Sequence, residues 1–299
     1  MPSIAARAVT AFLRASRANA TFVSAARARE HIEDRSVRPP SFAPPKNLGG
    51  VDIRLDRTGG WPIYTVTPTT GAPVGALVYV HGGAWVNEIV SQHWTLIAQL
   101  ATEADVTVIV PIYPLAPFGT SADVVEGVVD LFLTTRDEFG ATLLAGDSAG
   151  GQISLSAAMI LRDEHGVEAA RTILISPAVD LSFENPDIPV VQPFDPWLAK
   201  PGGLVYADLW RGELAVTDPR VSPLFGDVTG LGPVALFSGT HDILNPDARL
   251  LVHRLREAHV DVDYFEGQQQ VHVYPLLPTP EGRAARLDIV DQVRLATGI

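Results

Sequence analysis

The sequence predicts an α/β fold, in which a mostly parallel central sheet is flanked by helices. Short, continuous apolar segments recur along the chain, and segments with helical periodicity separate them. Strands buried on both faces have this apolar character, and strands that alternate with helices are typical of parallel sheets. The 299 residues are 46% apolar and 19% charged, which allows a large buried core and excludes a disordered chain.

The strands and helices can be assigned in order from residue 51. Two segments first alternate apolar and polar side chains, and they predict an antiparallel pair at a sheet edge: 51–55 and 62–67. The buried strands that follow are predicted at 76–80, 106–110, 142–145, 171–176 and 234–238, with a last strand at 261–266. The helices are predicted at 91–103, 121–138, 149–164, 247–259 and 281–295.

The first 50 residues are expected to form a separate part, a cap helix followed by a linker. Residues 1–38 carry a net charge of +4, from seven Arg and three acidic residues, within a chain whose net charge is −12. Residues 3–29 predict one helix, which we expect to pack on the main body rather than to be removed as a targeting segment. Residues 38–50 contain four Pro and predict an extended linker.

The remaining residues, 51–299, are expected to form the main domain, interrupted by an insertion. The insertion covers about residues 181–220, where Pro and aromatic residues replace the alternation of strands and helices. We expect it to lie over one end of the sheet.

Composition excludes several classes of function. The acidic net charge disfavours nucleic acid and anionic lipid as partners. The absence of Cys excludes disulfides, thiolate metal sites and a cysteine nucleophile. No apolar stretch approaches the roughly 18 residues that a membrane span needs. The sequence is therefore expected to be that of a soluble, cytoplasmic protein.

The most specific motif is G-x-S-x-G, which lies between a predicted strand and a predicted helix. It runs from Gly146 to Gly150 with Ser148 at its centre. In that context the serine occupies a tight turn that exposes its hydroxyl at the start of the helix, so Ser148 is the candidate nucleophile. The alternative is an ordinary glycine-rich turn.

A second glycine-rich turn follows the predicted strand 76–80. Here His81 precedes Gly82 and Gly83. The N–H groups of both glycines, together with that of Ala149, could form an oxyanion hole. The alternative is a simple tight turn, and His81 is expected to brace it by hydrogen bonding rather than to carry a proton.

A serine nucleophile needs a base and an acid, which in this architecture follow it in the chain, each after a later strand. Asp242 follows strand 234–238 and His272 follows strand 261–266, so they are the candidate acid and base. Asp247 is the competing acid, although an N-cap role at a predicted helix start would explain it. The competing histidines lie in helical patterns, next to Asp242 or far from strand ends: His31, His93, His165, His241, His253 and His259.

These motifs resemble the hormone-sensitive-lipase-like family of α/β-hydrolases, which are mostly bacterial carboxylesterases. The resemblance covers about residues 75–280. Its motifs are His81–Gly83, Tyr113–Pro117, Gly146–Gly151, Ser176–Asp180, Asp218–Leu224, Asp242 with Leu244, and His272–Tyr274. The chain departs from the family pattern at Ala84, where a third Gly is usual, and at Asn245, where Asp is frequent.

The resemblance implies an α/β-hydrolase fold with a helical cap, built from the N-terminal helices and the segment after the sixth strand. It implies no metal or organic cofactor, and a homodimer is common in the family. Candidate residues for the substrate pocket are mostly aromatic: Trp85, Asp147, Phe194, Trp197, Tyr206 and Trp210.

The expected activity is that of a serine carboxylesterase, which hydrolyses short- to medium-chain esters of small molecules through an acyl-enzyme intermediate. Two alternatives stay open. The same three side chains could act as an amidase or in other acyl transfer, which comparison of an amide with its matching ester would decide. The fold could also serve as a non-catalytic binding protein.

Overall fold

The computed structural model describes residues 1–298, and its centre is one sheet of eight strands. Their order across the sheet is β1-β2-β4-β3-β5-β6-β7-β8. The strands are β1 (Val51–Asp56), β2 (Ile63–Pro68), β3 (Ala76–Val80), β4 (Thr107–Pro111), β5 (Thr142–Asp147), β6 (Thr172–Ile175), β7 (Val234–Gly239) and β8 (Val262–Gly267).

Strand β2 runs antiparallel to both of its neighbours, and every other pair in the sheet is parallel. The predicted mostly parallel sheet and the antiparallel pair at its edge are therefore confirmed. The chain builds β3, then β4 on one side of it, and then β5 on the other side. The direction in which strands are added to the sheet thus reverses at β3. Such a reversal opens a crevice at the carboxyl ends of the strands, where open α/β sheets bind ligands.

Helices cover both faces of the sheet. They are α1 (Ile4–Ala15), α2 (Ala25–Val37), α3 (Ser91–Glu103), α4 (Ser121–Phe139), α5 (Ala149–His165), α6 (Ile188–Val191), α7 (Lys200–Arg211), α8 (Asn245–Glu257) and α9 (Pro280–Thr297). Within the described residues, no helix is long and apolar enough to cross a lipid bilayer.

Alternate side chains of each central strand enter different cores. In β3, Leu77 and Tyr79 pack in the core beneath α3 and α9, whereas Val78 and Val80 pack in the core beneath α4, α5 and α8. All five residues of β3 are buried. Because side chains alternate between the two faces of a strand, burial on both faces requires the continuous apolar sequence from which these strands were predicted.

The N-terminal segment forms two helices, so the prediction of one helix over residues 3–29 is wrong. Ser3 caps α1 by accepting a hydrogen bond from the N–H of Ala6, and Ser24 caps α2 by accepting one from Arg27. Between them the backbone of Arg17 has a positive φ of 53°, which ends the first helix. Residues 38–50 contain neither helix nor strand, as predicted for the linker.

We call residues 1–37 and 181–220 the cap segments. They pack on each other: the N–H of Gly202 in α7 donates to the carbonyl of Phe22 at 2.6 Å, and the Phe22 ring meets the edge of Tyr206 with centroids 5.3 Å apart. Helix α1 also contacts the main body, because the Ser3 hydroxyl donates to the Glu281 carboxylate in α9 at 2.8 Å. The cap segments border the crevice at the carboxyl ends of the strands.

Candidate active site

Ser148 lies on a tight turn between β5 and α5. Its backbone has φ 51° and ψ −115°, a conformation that L-residues rarely adopt. A side chain at Gly150 would collide with the carbonyl oxygen of Val80, so only glycine lets α5 start this close to β3. The two glycines of the motif thus permit the turn that exposes the Ser148 hydroxyl.

The structure brings Ser148, His272 and Asp242 together in one hydrogen-bonded row. The His272 Nδ1 lies 2.8 Å from Asp242 Oδ2, and its Nε2 lies 2.9 Å from Ser148 Oγ. A proton on Nδ1 that is donated to the carboxylate leaves Nε2 free to accept the serine hydroxyl. Asp242 is fully buried, and its other oxygen accepts the N–H of Leu244 at 2.9 Å.

The loops after β7 and β8 hold the acid and the base in position. Asp242 lies three residues beyond the end of β7, and His272 five residues beyond the end of β8. The two loops are joined where the N–H of His241 donates to the carbonyl of Gln270 at 2.9 Å. The N–H of Val273 donates to Ser176 Oγ at 3.1 Å, which ties the His272 loop to the end of β6.

Opposing effects set the pKa of His272. Burial favours the neutral imidazole and lowers the pKa, but the negative charge and hydrogen bond of Asp242 favour the imidazolium more strongly. The pKa therefore lies above its ordinary value of 6.5. The site therefore stabilises a proton on His272 relative to a free imidazole.

A second buried acid, Asp195, lies beside Asp242 and was not predicted. It comes from the insertion, and its Oδ2 accepts the N–H of Ile243, next to Asp242 in the chain, at 2.9 Å. Burial, together with the charge of Asp242, raises the pKa of Asp195 to about 7. Asp195 thus links the insertion to the loop that carries Asp242.

Asp247 does not have the N-cap role that was predicted for it. Helix α8 begins at Asn245, two residues earlier than expected, with Pro246 in its first turn. The side chain of Asp247 is buried and accepts a hydrogen bond from Asn185 Nδ2 at 2.7 Å. Burial raises the pKa of Asp247 to about 7. It makes no hydrogen bond with His272 among the described residues.

The glycine-rich loop after β3 lies beside Ser148, but Gly82 is not free to bind an oxyanion as predicted. Its N–H donates to Asp147 Oδ1 at 2.9 Å. The N–H groups of Gly83 and Ala84 donate to no acceptor within residues 1–298. Ala149 is the first residue of α5, where an N–H has no partner within the helix. The backbone N–H groups that are free to bind an oxyanion in this loop and turn are therefore those of Gly83, Ala84 and Ala149.

Asp147, which was predicted to contact substrate, borders the cavity and shapes this loop. Although Asp147 borders the site, its buried carboxylate already accepts from Gly82, from the Tyr79 hydroxyl at 2.8 Å and from His93 Nε2 at 3.2 Å. Burial raises the pKa of Asp147, but His93 and the other donors outweigh it and hold the pKa below its ordinary value.

His93, which the sequence suggested was remote from the strand ends, is buried beside this turn. Its Nδ1 accepts the N–H of Val90 at 3.0 Å, which leaves Nε2 to donate to Asp147. His81 braces the loop as expected, with Nδ1 2.7 Å from the Gly82 carbonyl oxygen. Burial lowers the pKa of His81 to about 4, so this imidazole is neutral near pH 7.

A cavity of about 490 Å³ adjoins Ser148 and His272. Trp85, Trp197 and Tyr206 line it, in agreement with the prediction. The Trp197 ring meets the His272 ring edge-on, with centroids 6.0 Å apart. Phe22 and Phe183 also line the cavity and were not predicted. Most of the lining is therefore apolar. Each of the two cap segments contributes part of it.

Phe194 and Trp210, which were predicted to belong to the substrate pocket, do not line this cavity. Phe194 is half-exposed and stacks on His241, with centroids 5.2 Å apart. Trp210 is fully buried behind Trp85, and the Nε1 atoms of both tryptophans donate to the Gln152 side-chain oxygen, at 2.8 and 3.1 Å. Gln152 therefore positions Trp85 at the cavity wall.

No group of three or more His, Cys, Asp or Glu side chains with metal-binding geometry occurs in the part of the chain that the structure describes. The groups that meet at Ser148 are its hydroxyl, the imidazole of His272 and the backbone N–H groups of Gly83, Ala84 and Ala149.

Comparison with known proteins assigns the fold to a family. A family model described as the alpha/beta hydrolase fold matches residues 77–276. The chain is 32% identical over 235 residues to an acetyl-hydrolase of Streptomyces hygroscopicus, covering 74% of this chain and 76% of that protein. It is 30% identical over 254 residues to a triacylglycerol lipase of Mycobacterium tuberculosis, covering 84% of this chain but only 53% of the relative's length.

The fold also resembles that of a hormone-sensitive lipase from a metagenome library, with a TM-score of 0.83 and 22% identity, over 99% of this chain and 100% of that one. The chain belongs to the family described as the alpha/beta hydrolase fold.

Proposed function

We propose that this protein is a serine carboxylesterase, which hydrolyses short- to medium-chain carboxylic esters through an acyl-enzyme intermediate. The similarity to a triacylglycerol lipase and an acetyl-hydrolase supports the broader assignment as a carboxylic ester hydrolase. The row of hydrogen bonds from Ser148 through His272 to Asp242, open to an apolar cavity, supports the finer proposal.

Acylation starts when an ester carbonyl lies above Ser148. His272 Nε2 accepts the hydroxyl proton as Ser148 Oγ attacks the carbonyl carbon, and the Asp242 carboxylate stabilises the imidazolium that forms. The N–H groups of Gly83, Ala84 and Ala149 stabilise the oxyanion. His272 then donates its proton to the leaving alcohol, and the acyl group stays on Ser148.

Deacylation repeats these steps with water as the nucleophile. His272 accepts a proton from the water, which attacks the acyl carbonyl, and the same N–H groups stabilise the second oxyanion. Collapse of this intermediate returns the proton to Ser148 Oγ and releases the carboxylic acid. The proton that passes between Ser148 Oγ and His272 Nε2 moves between atoms 2.9 Å apart.

The shape of the cavity favours small esters. Its volume of about 490 Å³ falls within the roughly 300–1,000 Å³ usual for small-molecule sites. Phe183, Trp197 and Tyr206 from the insertion form part of its wall, next to the triad. An acyl chain that outgrows this volume would have to displace the cap segments.

Acyl-chain preference tests the proposal. With p-nitrophenyl esters from acetate to palmitate, we expect kcat/KM to be highest for short or medium chains such as butanoate and hexanoate, and to fall for palmitate. We expect no increase in rate when the substrate passes its solubility limit and forms an interface. A maximum at palmitate with activation at the interface would indicate a lipase instead, and absence of turnover for every ester would contradict the proposal.

A further inference from the structure

One acidic side chain in the cavity has no assigned role. Glu88 lies on the loop between Trp85 and α3 and lines the same cavity as Ser148 and His272. Its side chain is half-buried, and its Oε2 atom is buried without a hydrogen-bond partner among residues 1–298. A buried carboxylate oxygen without a partner is costly, and such a group is normally paired.

No cation of the described chain neutralises Glu88. None of the salt bridges there involves it. The lining contains one Arg, Arg35, and its Nε donates to Asn87 Oδ1 at 3.1 Å. The three other acidic or basic groups of the lining, His93, Asp147 and His272, already have partners: His93 is bound to Asp147, and His272 to Asp242.

The electrostatics of Glu88 agree with this geometry. Burial alone raises the pKa of its carboxyl to about 7, and no neighbouring charge contributes. An acid with a nearby cation would have its pKa pulled downward instead. No salt bridge joins Arg35 to Glu88 within residues 1–298, so Arg35 does not serve as the counter-ion.

We propose that Glu88 determines specificity by binding a positively charged ammonium group carried by the ester substrate. This proposal rests on the proposed esterase function. A substrate cation would supply the counter-charge that the protein lacks at Glu88, and a neutral analogue would leave the carboxylate unpaired. The rings of Trp85, Trp197 and Tyr206 line the same cavity and favour a cation over their faces.

Matched esters test this proposal directly. One pair is butanoylcholine and its neutral isostere, in which tert-butyl replaces trimethylammonium. In the other pair, p-nitrophenyl esters carry the same two groups at the end of the acyl chain. The assay is run at about pH 8.5, where an acid with this pKa is ionised. We expect Glu88→Gln to lower the cation-to-neutral ratio of kcat/KM by about tenfold in at least one pair, the low end for a close charge pair.

Arg35→Gln is the matched control, because it removes the cation that lines the same cavity. Its cation-to-neutral ratio should not fall. The ratio is taken within each variant, so a general loss of turnover in Glu88→Gln does not mimic the effect. An unchanged ratio in both ester pairs would overturn the proposal, even while wild-type turnover upheld the esterase function.

Binding separates the two proposals. In a Ser148→Ala background, calorimetry measures the Kd of each unhydrolysed ester with and without Glu88→Gln. We expect Glu88→Gln to weaken binding of the cationic ester about tenfold and to change the Kd of its isostere much less. Equal effects on both esters would contradict the role of Glu88. Cation-selective binding in a protein that turns over no ester would overturn the esterase function alone.

Discussion

Replacing Ser148 with Ala is expected to lower kcat for p-nitrophenyl butanoate by about 10⁴- to 10⁶-fold. The substitution removes the hydroxyl oxygen that lies 2.9 Å from His272 Nε2 and attacks the ester in the proposed mechanism. The free N–H groups and the cavity persist, so a small residual rate should remain. The thermal midpoint should change little, because the hydroxyl faces the cavity and not the core.

Ser154→Ala is the matched control for this substitution. Ser154 lies six residues further along, in α5, and its buried hydroxyl donates to the carbonyl of Ala145 at 3.1 Å, away from the cavity lining. Its loss should cost about 1 kcal/mol of folding free energy and leave most of the turnover. Wild-type turnover in Ser148→Ala would rule out Ser148 as the nucleophile.

Asp242→Asn is expected to lower kcat by about 10³- to 10⁴-fold. In the wild type, His272 Nδ1 donates to the Asp242 carboxylate at 2.8 Å. An Asn side chain offers Nδ1 either a weaker acceptor or an N–H, and Nδ1 can accept that N–H only if the ring changes tautomer. In that tautomer the Nε2 atom carries the proton and cannot accept one from Ser148. The imidazolium also loses its counter-charge.

The same variant should change the pH dependence of kcat/KM. Activity requires neutral His272, and its pKa lies above 6.5, so wild-type activity should fall as the pH drops through a value above 6.5. The Asp242 charge is what raises this pKa against the effect of burial. Asp242→Asn should therefore move the acidic limb to lower pH.

Asp247→Asn serves as the control for Asp242→Asn. Asp247 is another buried acid at the end of the sheet, but its carboxylate is bound to Asn185 and not to His272. Turnover and the acidic limb should stay near the wild-type values. Equal losses of kcat in the two variants would contradict this account. They would show that activity depends on buried carboxylates near the site in general and not on the hydrogen bond between Asp242 and His272.

Local motifs explain why the fold and the triad could be predicted. A strand buried on both faces needs a continuous apolar segment, and the tight turn at Ser148 needs its glycines, so each leaves a short signature in the sequence. Asp242 and His272 follow from the topology, because parallel strands deliver the residues that follow them to one edge of the sheet.

The cap and the pocket wall carry no such signature. Phe194 and Trp210 are as aromatic as Trp197, and only the packing of the insertion decides that one lies outside, one behind Trp85 and one beside His272. Likewise, the assignment of Gly82 failed because its N–H is bound to Asp147, a residue 65 positions later. Periodicity and motif spacing do not encode such long-range contacts.

Covalent labelling tests the central claim most directly, namely that Ser148 is a nucleophile activated by His272. The protein is treated with a fluorophosphonate, digested and analysed by mass spectrometry, beside Ser148→Ala and Ser154→Ala. We expect one adduct, on Ser148, in the wild type and in Ser154→Ala, and none in Ser148→Ala. An adduct on a different serine, or ester turnover that persists with Ser148 unlabelled after full exposure, would contradict the account.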